Sequence, residues 1–131
     1  MTVMKQGKIT TNGVVLREHE NATVVFLTQQ GYDVELIPTS YKKGIQTPDI
    51  RMIDLYWEMK CPTGNSANTI KRAFKSALKQ SQNLIFDLRK SRTSDSKNIT
   101  KLEKEFTDIK SVRRLIIITK SRKLLDLKKT R

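Results

Sequence analysis

Two unbroken apolar runs constrain this chain most. They are Leu84-Ile85-Phe86 in NLIFDL, residues 83–88, and Leu115 to Ile118 in RRLIIIT, residues 113–119. A strand that is apolar at consecutive positions has no face to give to water, so both read as buried strands. The stretches beside them supply the cover. Residues 66–80 place Ile70, Ala73, Phe74, Ala77 and Leu78 at helical spacing, and residues 99–110 do the same with Ile99, Leu102, Phe106 and Ile109. Thr100 with Glu103 forms one candidate capping box for the second helix, and Asn98 is an equal candidate for its cap.

Upstream, residues 12–30 carry a helical pattern that Gly31 ends in the C′ position. Residues 32–38 alternate and read as a strand closed by Pro38, and residues 39–46 read as a loop. Two strands follow at 47–53 and 55–60, and KLLDLKK, residues 123–129, reads as a last edge strand. The order α-β-β-β-α-β-α-β, with that final strand, predicts an α/β fold: a mixed β-sheet with flanking helices. A length of 131 residues suits a single domain. Its parts are a lead-in at 1–12, a core at 12–89, a polar loop at 90–98, and a C-terminal helix with strands at 99–131.

Charge narrows the partners. Lys plus Arg is 26 and Asp plus Glu is 13, a net charge of +13. Such an excess points to a polyanion, nucleic acid first. No apolar run approaches the roughly 18 residues of a membrane span, and the first residues lack the apolar core of a secretory signal. No membrane partner is therefore expected, and any export would be encoded in a larger parent protein. One Cys, Cys61, excludes an internal disulfide framework. One His and one Cys exclude the usual Cys/His zinc site. A metal would be held by carboxylates, which favours Mg2+ or Mn2+ and leaves Zn2+ as a lesser alternative.

The stretch TPDIRMIDLYWEMKCPTGNS, residues 47–66, concentrates the chemistry. A two-residue turn at Ile53-Asp54 would pair Met52 with Leu55, Arg51 with Tyr56, Ile50 with Trp57 and Asp49 with Glu58. Side chains alternate along a strand. One face then carries Ile50, Met52, Leu55, Trp57 and Met59, and the other carries Asp49, Arg51, Tyr56, Glu58 and Lys60. Directly opposed carboxylates destabilise a sheet. A divalent cation reverses that, and Lys60 is placed to position or activate water or to balance phosphate charge. The bland alternative is a solvated hairpin face with a surface ion pair. Ile-Asp is also an unusual two-residue turn, where Asn-Gly or Asp-Gly is favoured.

Pro48-Asp49 followed by Glu58-Met59-Lys60 resembles the PD-(D/E)XK nuclease superfamily. The ordered blocks ENATVVFLTQQGYDVELIP, TPDI, YWEMKCPTG and ALKQSQNLIFDLR resemble the C-terminal tRNA nuclease toxin domains of CdiA, the contact-dependent inhibition protein. The resemblance runs from Glu20 to Arg89. It implies an αβββαβ core and a metal-dependent nuclease that cuts tRNA as a toxin in the cytoplasm of a bacterial cell. It also implies an acidic cognate immunity protein. Asp49 and Glu58 would bind the metal with help from Glu20, for which Glu18 is the competitor. Lys60 would act on water, and Gln80, with Gln82 second, would support it. DNA cleavage by the same chemistry, or a non-catalytic nucleic-acid-binding module, are the alternatives.

For substrate, Lys71, Lys75 and Lys79 repeat every four residues beside Arg72 and form a basic helix edge. Tyr56 is placed to stack on a splayed base. Asn65, Ser66 and Asn68 are candidate caps of that helix. Further cations gather late in the chain: Arg113, Arg114, Lys120, Arg122, Lys123, Lys128, Lys129 and Arg131. His19 reads as a surface helix residue.

Overall fold

The structure, a computed structural model, describes residues 5–40 and 46–129. Most of the expected loop at 39–46 and the terminal Arg131 lie outside the described residues. The described residues form three helices and seven strands: β1 (Ile9–Thr10), α1 (Glu18–Gln29), β2 (Val34–Leu36), β3 (Ile50–Met52), β4 (Leu55–Lys60), α2 (Thr69–Leu78), β5 (Asn83–Asp87), α3 (Asp95–Asp108), β6 (Arg114–Ile118) and β7 (Leu124–Lys128). The strands follow chain order in one mixed sheet. The expected αβββαβ core is present, followed by a helix and two strands. The chain clusters into two compact units, Met1–Trp57 and Glu58–Arg131.

In the N-terminal unit, β1 pairs parallel with β2, and β2 pairs antiparallel with β3. The β3–β4 hairpin has the expected register, Ile50↔Trp57, Arg51↔Tyr56 and Met52↔Leu55. Ile53 and Asp54 form its two-residue turn with φ of +48° and +61°. Both are left-handed, as a turn matching the twist of a hairpin requires. Trp57 is fully buried and its indole N–H donates to the Met52 carbonyl at 2.9 Å.

Helix α1 begins at Glu18, not at residue 12. Asn12 and Gly13 are both left-handed, with φ of +49° and +76°, and cannot enter a right-handed helix. Val15, inside the expected helical span, is exposed. The end is as expected. Gly31, at φ +97°, donates to Thr28 O at 2.9 Å, and Tyr32 N–H donates to Leu27 O at 3.2 Å. Those two bonds make a Schellman motif around a C′ glycine.

In the C-terminal unit, the last three residues of β4 pair parallel with β5, β5 pairs parallel with β6, and β7 closes antiparallel on β6. Ile70, Phe74 and Ala77 of α2 and Leu102 and Phe106 of α3 join Leu84, Phe86, Leu115 and Ile117 in one apolar cluster. Both crossover helices therefore cover one face of this part of the sheet. Phe74 stacks on Phe86 with ring centroids 5.7 Å apart. Ile85, Ile116 and Ile118 are buried on the other face, which explains why these strands are apolar throughout.

Two helix starts are corrected here. Helix α2 begins at Thr69 rather than residue 66. Helix α3 begins a turn before the expected position, so residues 95–98 are helix rather than loop. Ser94 caps α3, accepting from Lys97 N–H at 3.4 Å. Neither Thr100 with Glu103 nor Asn98 is the cap. Asn98 is buried inside the helix and donates to Ser91 Oγ at 2.9 Å.

Candidate active site

Strand β4 delivers the two central residues. Glu58 and Lys60 are two apart, so they share a face. They pair with Leu84 and Phe86, which point into the core under α2. Glu58 is therefore 6% exposed, and the bland reading of a solvated face does not hold for it. A carboxylate taken out of water needs a cation close by. Lys60 Nζ lies 3.9 Å from Glu58 Oε2, a loose pair. The ammonium also donates to Ser76 Oγ on α2 at 3.3 Å. Sequence reasoning missed Ser76, although one signal was available. Ser76 lies four residues after Arg72 and four before Gln80, so the three share one side of the helix.

Around Ser76 the basic edge of α2 appears as expected. Lys71, Arg72, Lys75 and Lys79 are all exposed, while Ile70, Phe74 and Ala77 face inward. Asn68 is the N-cap residue but its side chain makes no capping bond. Ser66 organises the approach instead. Its Oγ accepts from Asn68 N–H and from Arg72 Nη2, each at 3.3 Å, and meets Thr69 Oγ1 at 3.2 Å. Gln80 is half-buried just past the helix end, and its backbone N–H continues the last turn to Ala77 O at 2.9 Å. Gln82 is exposed, with its carbonyl accepting from Arg113 N–H at 2.8 Å.

The N-terminal unit holds Glu20, Asp49 and Tyr56. Asp49 is half-buried. The ladder pairs end at Ile50↔Trp57, and Asp49 N–H donates to Trp57 O at 2.9 Å. The simple register that set Asp49 opposite Glu58 is thus out of step by one residue. The cause is bulge-like: two residues of one strand address a single carbonyl, a device that re-aims a side chain. Tyr56 is 51% exposed. Glu20 Oε1 accepts from Arg17 N–H at 3.1 Å, which closes the start of α1. Glu18 is exposed in the same turn. Among the described residues, no group of three or more His, Cys, Asp and Glu side chains is gathered to hold a metal. A hollow of about 460 Å³ near the hairpin turn is lined by residues including Asp33, Glu35, Arg51 and Asp54, and by none of the expected site residues.

A second acid-and-base pair lies at the end of β5. Asp87 is buried and Arg89 grips it, Nε to Oδ1 at 2.9 Å and Nη2 to Oδ2 at 2.7 Å. That bonding raises the Arg89 pKa above the usual arginine value, with a lesser push from Cys61. The late cations also divide. Arg114 is clamped by Asp126, with bonds of 3.0 and 2.8 Å. Lys129 donates to Ile109 O at 3.0 Å and covers the Phe106 ring.

A mixed α/β sheet whose central strand ends in a buried acid and a helix-tethered lysine defines the class of fold. The chain belongs to the contact-dependent growth inhibition CdiA C-terminal domain family, whose sequence model matches residues 46–124. Its fold is similar to that of a chain from the CdiA-CT/CdiI toxin and immunity complex of Burkholderia pseudomallei. The TM-score is 0.69 at 19% identity, over 94% of this chain and 100% of that one. A search of curated proteins finds no match. No helix among the described residues is long and apolar enough to cross a membrane.

Proposed function

We propose that this chain is a metal-dependent endoribonuclease of the PD-(D/E)XK type that cuts tRNA and acts as a toxin inside a bacterial cell, delivered as part of a larger protein. The observation that carries the reading is the buried Glu58 carboxylate with the Lys60 ammonium 3.9 Å away and tied to Ser76. The pair stands beside the basic edge of α2, where an acid and a base two residues apart can act together on a phosphate.

The donor set fits a hard divalent ion. Glu58 and Asp49 offer carboxylate oxygens, and magnesium takes one or two of these with water and phosphate completing its sphere. Glu20 closes its own helix start, so the two strand acids are the proposed ligands. Mg2+ or Mn2+ suits such oxygen donors better than Zn2+. A bound ion supplies a water of lowered pKa and neutralises charge on the phosphate. Lys60 donates to the water or to a phosphate oxygen, with Ser76 fixing its Nζ. Gln80, a turn beyond Ser76, is placed to hold the same water. Lys71, Arg72, Lys75 and Lys79 hold substrate phosphates without reading sequence, and Tyr56 stacks on a base. The neighbour in fold was solved as a toxin and immunity complex. With a net charge of +13, the expected immunity partner here is acidic and covers the basic face.

The test incubates the protein with total tRNA and, separately, with linear and supercoiled DNA. Each runs with magnesium, manganese, zinc or EDTA beside Asp49→Ala and Glu58→Gln. Discrete tRNA fragments that require metal and vanish in both variants support the reading. Cutting of DNA alone replaces it with a DNA endonuclease. Binding without any cutting, unchanged in the variants, leaves a nucleic-acid-binding module.

A further inference from the structure

We propose that the carboxyl ends of β5 and β6 form a second docking surface, one that grips the phosphodiester backbone of the substrate RNA away from the bond that is cut. The inference rests on the ribonuclease reading and adds where the body of the RNA lies.

Strands β4, β5 and β6 are parallel, so the segments after them leave from one edge. That edge is where open α/β sheets hold ligands. After β5 comes RKSRTS, residues 89–94, and after β6 comes the turn TKSRK, residues 119–123. The two are far apart in sequence but tied in space. Asp95 accepts Lys120 N–H at 2.8 Å and Ser121 N–H at 3.4 Å, while Lys120 Nζ reaches Thr93 O at 3.5 Å. The turn is held internally as well. Thr119 Oγ1 accepts from Lys123 N–H at 2.9 Å, and Arg122 adopts a left-handed φ of +67°.

This framework displays Lys90, Arg92, Lys120, Arg122 and Lys123, all exposed. Neither segment contains an acid. The flanking carboxylates are engaged, Asp87 by Arg89 and Asp95 by backbone N–H groups. Like charges crowded on tied loops repel one another, and a polyanion relieves that repulsion. Thr93, Ser94 and Ser121 add hydroxyl donors of the kind that contact phosphate oxygens. Lys60 ends β4, and about 4.8 Å separates neighbouring strands, so β6 lies roughly 10 Å across the sheet from it. An RNA of only two or three nucleotides seated at Lys60 leaves most of that edge uncovered, whereas a folded RNA lays several phosphates across it. Sequence pattern alone gives 90–98 as a polar loop and gathers the late cations without dividing them.

The experiment replaces Lys90, Arg92, Lys120 and Lys123 together by Gln in the full chain. It measures binding by fluorescence anisotropy across a salt series. The probes are labelled tRNA, a short single-stranded RNA and poly-L-glutamate, and thermal melting confirms folding. For tRNA, Kd should rise about tenfold or more near ~0.1 M salt, and the salt slope should fall by about 3, as four lost phosphate contacts require. Binding of the short RNA should barely change. An unchanged tRNA Kd and slope would overturn the proposal. So would an equal loss for the short RNA, which would make the patch part of the cleavage site. Loss confined to poly-L-glutamate would assign the surface to an acidic protein instead. Wild-type protein that binds tRNA yet cuts no RNA with magnesium or manganese would sink the ribonuclease reading, while the binding series still decides this surface.

Discussion

Adjacent parallel strands of the C-terminal unit carry the same local pattern, an acid with a base two residues later, and put it to opposite ends. At the end of β5, Asp87 and Arg89 are locked, with guanidinium to carboxylate bonds as short as 2.7 Å. On β4, Glu58 and Lys60 stand 3.9 Å apart, and the lysine turns to Ser76. Both acids are buried. The chemistry of the base explains part of the contrast. Arginine offers a planar fork that matches a carboxylate at two points, whereas lysine is a point charge on a flexible stem. A closed pair satisfies its own acid. A looser pair grips its acid less firmly. The spacing is the same in both pairs, and the distance to the base is what differs.

The largest expected effects test that contrast directly. Glu58→Gln should lower metal-dependent tRNA cleavage by about a thousandfold or more, roughly 4 kcal/mol of lost transition-state stabilisation. Its melting temperature should hold or rise, because a neutral amide removes a buried charge. Asp87→Asn should do the reverse. Stripping the charge partner from a largely buried Arg89 should cost about 3 kcal/mol in urea unfolding while folded molecules keep their activity. An Asp87 variant of unchanged stability would erase the distinction. Alkali offers a second view of the closed pair. The Asp87 bond raises the Arg89 pKa. Its stabilisation is therefore fully present below the ordinary arginine value and is lost only as pH climbs through the raised one. Unfolding scans up to moderately alkaline pH should show no loss from this pair.

Lys60→Arg sharpens the comparison by attempting to close the open pair. Arginine there should swing onto Glu58 as Arg89 does onto Asp87. Cleavage should fall about a hundredfold, the scale of a displaced proton-transfer or water-positioning group, while stability stays level or rises. Calorimetric titration with manganese should show weaker binding in the same variant. Full activity in Lys60→Arg would mean that only positive charge matters at that position.

The strands and their order were readable because burial writes itself into pattern. NLIFDL and LIII are apolar without a break since each is covered on both faces. The hairpin register followed from alternation, even with Ile-Asp at its turn, and Gly31 marked the end of α1. The misreadings share one cause: local side-chain bonds compete with periodicity. Val14, Val15 and Leu16 mimic a helix, but Asn12 turns left-handed and its Nδ2 bonds to Leu36 O at 2.9 Å. Ser94 captures the start of α3 ahead of the apolar stripe. The site was legible as residue types, with Glu58 and Lys60 on one face, but not as geometry. Asp49 shifts a residue out of step through one backbone bond, Ser76 has no motif to announce it, and Glu20 is drawn into capping by Arg17. The two loops behind the basic surface are joined through Asp95, a contact between distant segments that no local spacing encodes.

The smallest effect concerns the turn that joins β3 to β4. Ile53 sits at φ +48°, a conformation that a β-branched residue adopts at a cost of about 1 kcal/mol. It is 44% exposed, so its side chain returns little in burial. Asparagine tolerates that backbone and is favoured at the first position of such a turn. Ile53→Asn should therefore stabilise the protein by about 0.5–1 kcal/mol in urea or thermal unfolding. Asp54 remains to bond Arg51 Nη2 at 3.2 Å. This variant touches neither ion pair, so cleavage measured well below the melting temperature should not move. If activity follows stability here, the loss expected in Glu58→Gln cannot be assigned to chemistry by rate alone. If stability rises and rate stays level, the open pair on β4 can be tested without the fold as a confounder.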